Sequence, residues 1–252
     1  MEPVRILRSG GGGPVIFYAH GNIHPAEECA RRLATLREWA DGEGLAAVEG
    51  AYDVEAWEAT VGRIGDAAEA AFGVICNEEG DGRGETDSKA RAAREARCRA
   101  CYRLRFTEAA RYAAEHGYSA LGTTLSVSPY QYTSIIREEL ERACANAGIE
   151  ARFEDYRPYY DEATRRSREG GMYRQNYCGC RFSEAEAAAE REERAAARRA
   201  AREAEKAARA DERAAEEAER ARKRAEKQAY ADKQARKRAA LKALREQQAE
   251  HD

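Results

Sequence analysis

The sequence predicts an α/β protein, a Rossmann-like parallel sheet flanked by helices and followed by a long charged C-terminal α-helix. Three observations carry that prediction. Short apolar runs alternate with helix-patterned segments through the first 182 residues, with short connections, which is how parallel sheets are assembled. Those residues hold 19 of the 20 aromatics and all seven cysteines, enough material for one core. From Ser183 to Asp252, by contrast, 36 of 70 residues are charged, 25 are alanine and Tyr230 is the one aromatic. That stretch cannot build a core of its own. The expected organisation is therefore an α/β domain over 1–182 and a helical tail over 183–252.

The elements follow in order. Val15 to Tyr18 reads as a strand, and the loop Ala19 to Pro25 leads into a helix. Pro25 suits a first helical turn, and Glu27 and Glu28 favour the positive end of the helix dipole. Leu33, Leu36 and Trp39 keep helical spacing, and Gly42 and Gly44 stop the helix. Leu45 to Val48 predicts a second strand and Val54 to Ala71 a second helix. The glycine-rich, charged residues 77–97 read as an exposed loop running into the helix that carries Cys98 and ends at Gly117. Ser119 to Thr123 is a third strand, Ile135 to Ala147 a further helix, and Ala151 to Glu154 a fourth strand. In such sheets chemistry collects beyond the carboxyl ends of the strands, where His20, Ser128 and Arg157 fall. The tail is rich in strong helix formers and repeats acid–base pairs at i,i+4, such as Glu190/Arg194 and Glu205/Arg209. It offers at best alanine at coiled-coil core positions, so a single solvated helix is favoured over a coiled coil.

Charge and composition narrow the function. The net charge is −3 overall, and −5 over residues 1–182, so bulk electrostatic attraction to nucleic acid is excluded and any RNA contact needs local arginines. No apolar run approaches the roughly 18 residues of a membrane span, and the opening MEPVRILRSGGGG is no signal peptide. Gly10 to Gly13 lacks the Lys-Ser/Thr of a phosphate loop and reads as a linker. A cytoplasmic protein is expected, in which cysteines stay reduced and point to metal or redox chemistry.

Two cysteine groupings stand out. Cys98 and Cys101 form a CxxC, read as lying at the start of a helix, where the dipole and nearby Arg97 and Arg99 would lower their pKa. Cys178 and Cys180 form a CxC in a glycine-containing loop. Four thiolates from two segments could hold zinc or an iron–sulfur cluster, and a CxC could also close a strained, redox-active disulfide. Cys29 and Cys144 lie on helical faces and read as core thiols.

The segments NIHPAEE (22–28), RCRACYRLRF (97–106), TTLSVSPYQ (123–131), YRPYY (156–160) and GMYRQNYCGC (171–180) resemble, in order, the QueH family of epoxyqueuosine reductases. The resemblance covers residues 2 to about 183 and leaves the tail outside. It implies reductive dehydration of epoxyqueuosine to queuosine at the wobble position of tRNA, with electrons relayed by a [4Fe-4S] cluster from an unidentified donor, and a possible second iron. By resemblance Cys98 and Cys101 are cluster ligands. Cys178 and Cys180 are a redox-active pair or further ligands. The family also carries a dicysteine loop, CCxPC, immediately before a segment like EPVRILR. No Cys-Cys occurs here, so the expectation is a chain lacking that loop, two thiolates and a first strand, through a truncated or misassigned start. The alternative to the enzyme is a zinc-stabilised α/β module, or an inactive truncated homologue, whose tail mediates association.

The remaining candidates each have a functional and a plain structural reading. Ser128, Tyr130 and Gln131 either line a substrate pocket or simply start the next helix. Arg157 either receives phosphate or pairs with Asp155 or Asp161. Arg174 and Gln175, directly before the CxC, are candidates for substrate or RNA contact. Asp155 is either a proton donor to the epoxide oxygen or a capping, ion-pairing residue. His20 and His24 are either metal ligands or loop hydrogen-bonders.

Overall fold

The computed structural model of the protein describes residues 2–9, 13–75 and 85–249. It divides into two compact units, Met1–Arg191 and Glu192–Asp252. In the first, strand β1 (Ile16–Tyr18) pairs in parallel with β2 (Ala47–Glu49), and β3 (Ala120–Gly122) with β4 (Glu150–Arg152). The four expected strands and their parallel sense are found. Among the described residues they form two separate two-stranded pairs, and no single Rossmann-like sheet joins them.

The helices explain why both pairs are stable. Helix α1 (Glu2–Ser9), not foreseen in the sequence, seats Val4 against Ala40 and Leu45. Helix α2 (Ala26–Gly42) starts at Pro25 and keeps Glu27 and Glu28 in its first turn, as expected. The predicted helix over 54–71 forms, but in three parts. Helix α3 (Val54–Trp57) runs into a π-helical stretch (Glu58–Gly62) and then α4 (Arg63–Phe72). A π stretch rotates the following turns relative to the preceding ones, a device common at functional sites. Here it belongs to the segment that buries Trp57 and Val61 against Cys101, Cys180 and Phe182.

Helix α5 (Glu85–Glu115) corrects the loop expected over 77–97, because its N-terminal third is helical. Residues 76–84, Cys76 included, lie outside the described residues, as do Gly10 to Gly12. α5 packs on α6 (Thr133–Ala147), with Tyr102, Phe106 and Ala110 against Ile136, Leu140 and Cys144. Ile136 and Leu140 are fully buried, each contributing about 1.5–3 kcal/mol by removal from water. Glu139 is buried beneath the same seam. Burial would raise its carboxyl pKa, but hydrogen bonds from Arg103 and Arg99 outweigh that and hold it below the ordinary range. Helix α7 (Tyr160–Glu169) precedes the CxC loop, and α8 (Arg181–Ala249) follows it.

The first turns of α8 belong to the core. Ser183, Glu186 and Glu190 are buried, and Glu190 bonds Arg94 of α5 at 2.9 Å. From Glu192 onward the helix is the solvated structure its composition predicts. Arg209–Glu205 at 2.6 Å and Lys223–Glu219 at 2.6 Å are i,i+4 pairs on exposed faces, each worth a few tenths of a kcal/mol. No helix among the described residues is long and apolar enough to cross a membrane.

Candidate thiol and metal centre

Cys98 and Cys101 stand one turn apart on α5, well inside the helix. This corrects the expectation of a helix start, so no N-terminal dipole acts on them. Arg99, the second cation thought to lower their pKa, turns away to Glu138 at 2.6 Å and Glu139 at 3.0 Å. Arg97 stays. Its guanidinium is buried, bonds Glu186 through two N–H···O contacts of 2.7 and 2.9 Å, and acts on both Cys98 and Cys180. Arg105 performs the corresponding role at Cys101, while its Nε donates to the Ala19 carbonyl just beyond β1.

The CxC loop closes on this pair. Cys180 packs with Cys101 under Trp57 and Phe182, and the Trp57 indole N–H lies 3.5 Å from the Cys101 sulfur. Charge on Cys178 and Cys180 is felt at Cys98, and charge on Cys178 at Cys101. Burial pushes the Cys180 thiol up to about 12, with Cys178 adding to the rise. Burial also pushes Cys98 and Cys101 above the usual thiol range, opposed by Arg97 and Arg105 respectively. All six described cysteines are free thiols, so Cys178 and Cys180 are reduced in this structure.

The loop is held by the segment 22–32. His24 N–H donates to the Gly179 carbonyl at 2.8 Å, and Arg32 donates to the carbonyls of Cys178 and Tyr177 at 2.9 and 3.3 Å. Arg32 is braced by Glu28, which also accepts from Tyr173. Burial would raise the Glu28 carboxyl, but those hydrogen bonds hold it below its ordinary range. Thus two motifs far apart in sequence, 22–28 and 171–180, form one cradle. Gly179 is its keystone, with φ 128 and an Arg32 nitrogen 3.0 Å from where a Cβ would sit. Gly179→Ala is expected to cost about 1–3 kcal/mol in chemical denaturation, from backbone strain plus displacement of Arg32. An unchanged denaturation midpoint would remove Gly179 from this role.

The remaining candidates sort by position. Gln131 accepts a 2.6 Å bond from the hydroxyl of Tyr102, which is buried beside the cysteines and whose pKa is raised by burial and then by Cys98. Gln131 is thereby tied to the thiol centre. Ser128 is half-buried and its hydroxyl accepts from Tyr130 N–H, while Tyr130 is exposed. Arg157 is fully engaged by Asp155 at 2.5 to 3.1 Å, and that contact keeps Asp155 ionised, below the usual carboxylate range. The pair matches the structural reading of both residues. Arg174 and Gln175 are exposed beside the CxC. His20 is buried between the rings of Tyr18 and Tyr52 and bonds the Tyr18 carbonyl and Glu49, a loop-fixing role. Cys29 and Cys144 are buried, as expected. Sequence reasoning missed Arg32, Trp57, Arg105 and Glu186. Of these, only Arg32 left a signal, its i,i+4 spacing from Glu28.

Among the described residues no three His, Cys, Asp or Glu side chains are grouped closely enough to hold a metal ion. The donor chemistry nevertheless fits a thiolate-held centre. Four soft sulfurs lie within electrostatic reach of one another, an indole N–H points at one of them, and two arginines offset the negative charge four thiolates bring.

Parallel strand pairs whose connecting loops gather four thiols and two buried arginines at one place define a cysteine-centred α/β protein. The chain is recognised along nearly all of its first unit by the family model for epoxyqueuosine reductase QueH, at residues 1–78 and 83–186, and it belongs to that family. It is 27% identical to epoxyqueuosine reductase QueH of Dehalococcoides mccartyi over 68% of this chain and 79% of that protein. It is 35% identical to the Thermotoga maritima protein of the same name over 34% of this chain and 46% of that relative. With the Staphylococcus aureus protein of that name it shares 23% over 67% of this chain and 64% of the relative.

Proposed function

We propose that this chain reduces epoxyqueuosine to queuosine at the wobble position of tRNA, a reaction in the cytoplasm. The family match over residues 1–186, with its motif cysteines converging, carries the reading. The step opens an epoxide, forms a C=C bond and releases the oxygen as water, consuming two electrons and two protons. No amino acid side chain stores two such electrons reversibly except a dithiol, so a cofactor or the CxC pair must relay them. The residues proposed to hold a [4Fe-4S] cluster are Cys98 and Cys101, with Cys178 and Cys180 as further ligands or as a dithiol that shuttles electrons. When bound, such a cluster supplies single electrons from an external donor. A second iron near it is part of the same proposal.

The protein's own contribution is to hold and shield. Trp57 and Phe182 keep water from the sulfurs, which strengthens every charge interaction there. Arg97 and Arg105 favour the thiolate form when ligation expels the thiol protons. Gln131, fixed by Tyr102, presents an amide at the centre's edge, and Ser128, Tyr130, Arg157, Arg174 and Gln175 are proposed to receive the tRNA.

The test is anaerobic turnover. Protein reconstituted with iron and sulfide is incubated with tRNA carrying epoxyqueuosine and a low-potential reductant, and the nucleosides are analysed by mass. Loss of one oxygen from the modified nucleoside is expected. An unaltered nucleoside from a preparation that has bound its iron and sulfide overturns the reading.

A further inference from the structure

We propose that Tyr130, braced by Tyr160, is a stacking platform for unpaired RNA bases next to the nucleotide being reduced, an inference that rests on the tRNA reading above. Three observations place it. The loops that follow β3 and β4 are welded together, because the fully buried Ser126 hydroxyl donates to the Glu154 carbonyl at 2.7 Å. Both loops carry aromatic side chains to the surface, with Tyr130 51% and Tyr159 39% exposed, large values for such rings on a folded domain. The Tyr160 ring meets Tyr130 edge-on at 80°, with centroids 6.2 Å apart, which fixes the Tyr130 ring by one edge.

The platform is continuous with the thiol centre. Gln131, next to Tyr130 in the chain, is bonded to Tyr102, and Tyr102 adjoins Cys101. A nucleotide whose modified base reaches the cysteines therefore has its neighbours in the loop within reach of Tyr130. Such neighbours are unpaired in an anticodon loop and present π-faces whatever their identity. The charges along 154–174 nearly cancel, so the surface suits stacking better than long-range electrostatic capture. The occupant is thus a single-stranded RNA segment, held through its bases.

The measurement is binding of the full chain to a synthetic anticodon stem-loop. Tyr130→Ala is expected to weaken binding about ten- to a hundredfold and Tyr130→Phe hardly at all, since the stack needs the ring and not the hydroxyl. Replacing a loop base by an abasic site should weaken wild-type binding to a similar degree and add little in Tyr130→Ala, the sign that base and ring act as one contact. Binding to a fully paired hairpin should not depend on Tyr130. If wild-type protein reduces epoxyqueuosine in tRNA but Tyr130→Ala binds the stem-loop as tightly as wild type, the platform is overturned and the enzymatic reading stands. If wild-type protein neither binds nor reduces the tRNA, the enzymatic reading fails and takes the platform with it.

Discussion

Glu186→Ala is expected to destabilise the first unit by about 3–5 kcal/mol, a large part of what holds a domain of this size together. Glu186 and Arg97 expose only 4% of each side chain, so losing the carboxylate strands a guanidinium in the protein interior. Arg94 loses a partner in the same step, at 3.3 Å. The damage is local to the chemistry, because Arg97 also stands against Cys98 and Cys180. Chemical denaturation of the whole chain measures it. Chains ending at residue 183 and at residue 191 provide a second reading. The shorter lacks both Glu186 and Glu190 and should be unfolded or aggregated, whereas the longer should match the full chain in stability and turnover. Equal stability of the two would show that the buried ion pairs are dispensable. The low aromatic content beyond Ser183 argued that the whole tail was separable. The contacts of Glu186 and Glu190 move the workable cut to after Arg191.

Cys98→Ala or Cys101→Ala is expected to abolish iron binding by anaerobically reconstituted protein and, with it, turnover. Each removes a sulfur from a four-thiol set in which every member feels at least one other. Iron and acid-labile sulfide, measured per chain, separate this outcome from misfolding if the variants keep wild-type far-ultraviolet spectra. Full iron content in both variants would sink the assignment. Zinc without sulfide in the wild type would favour a structural metal module over a reductase.

The parts of the fold that follow from short-range pattern were legible. Apolar runs located four strands, Pro25 and the glycines at 42 and 44 bounded α2, and Ala, Glu, Arg and Lys made α8 a helix. The start of α5 was not legible, because charged residues around 85–97 read as loop until Arg94 and Arg97 are seen to pair with Glu190 and Glu186, some ninety positions away. The separation of the strands into two pairs was equally hidden, since hydrogen bonding between strands leaves no mark in their sequences. In the site, the cysteines were named from spacing and family resemblance. The cradle was not, because Arg32 reaches the CxC carbonyls across 146 residues. The direction of the thiol shifts was misread for a related reason. Local sequence showed arginines beside Cys98, but burial under Trp57 and Phe182, which outweighs them, is a product of tertiary packing.

The dependence of the core on the opening turns of α8 has a bearing on how the protein is made. The last pieces needed to complete the first unit, Cys178, Cys180, Glu186 and Glu190, are also the last of it to be synthesised. Until they emerge, Arg94, Arg97 and the Trp57 face have no partners, and the nascent chain carries an unfinished, sticky interior. The 61 residues of the second unit, Glu192 to Asp252, take about 3–12 s to translate at ordinary elongation speeds. During that interval the completed first unit is outside while the ribosome still holds only charged, alanine-rich chain. The tail in this sense works as a timer, giving the domain seconds to close before release, with nothing apolar behind it to interfere.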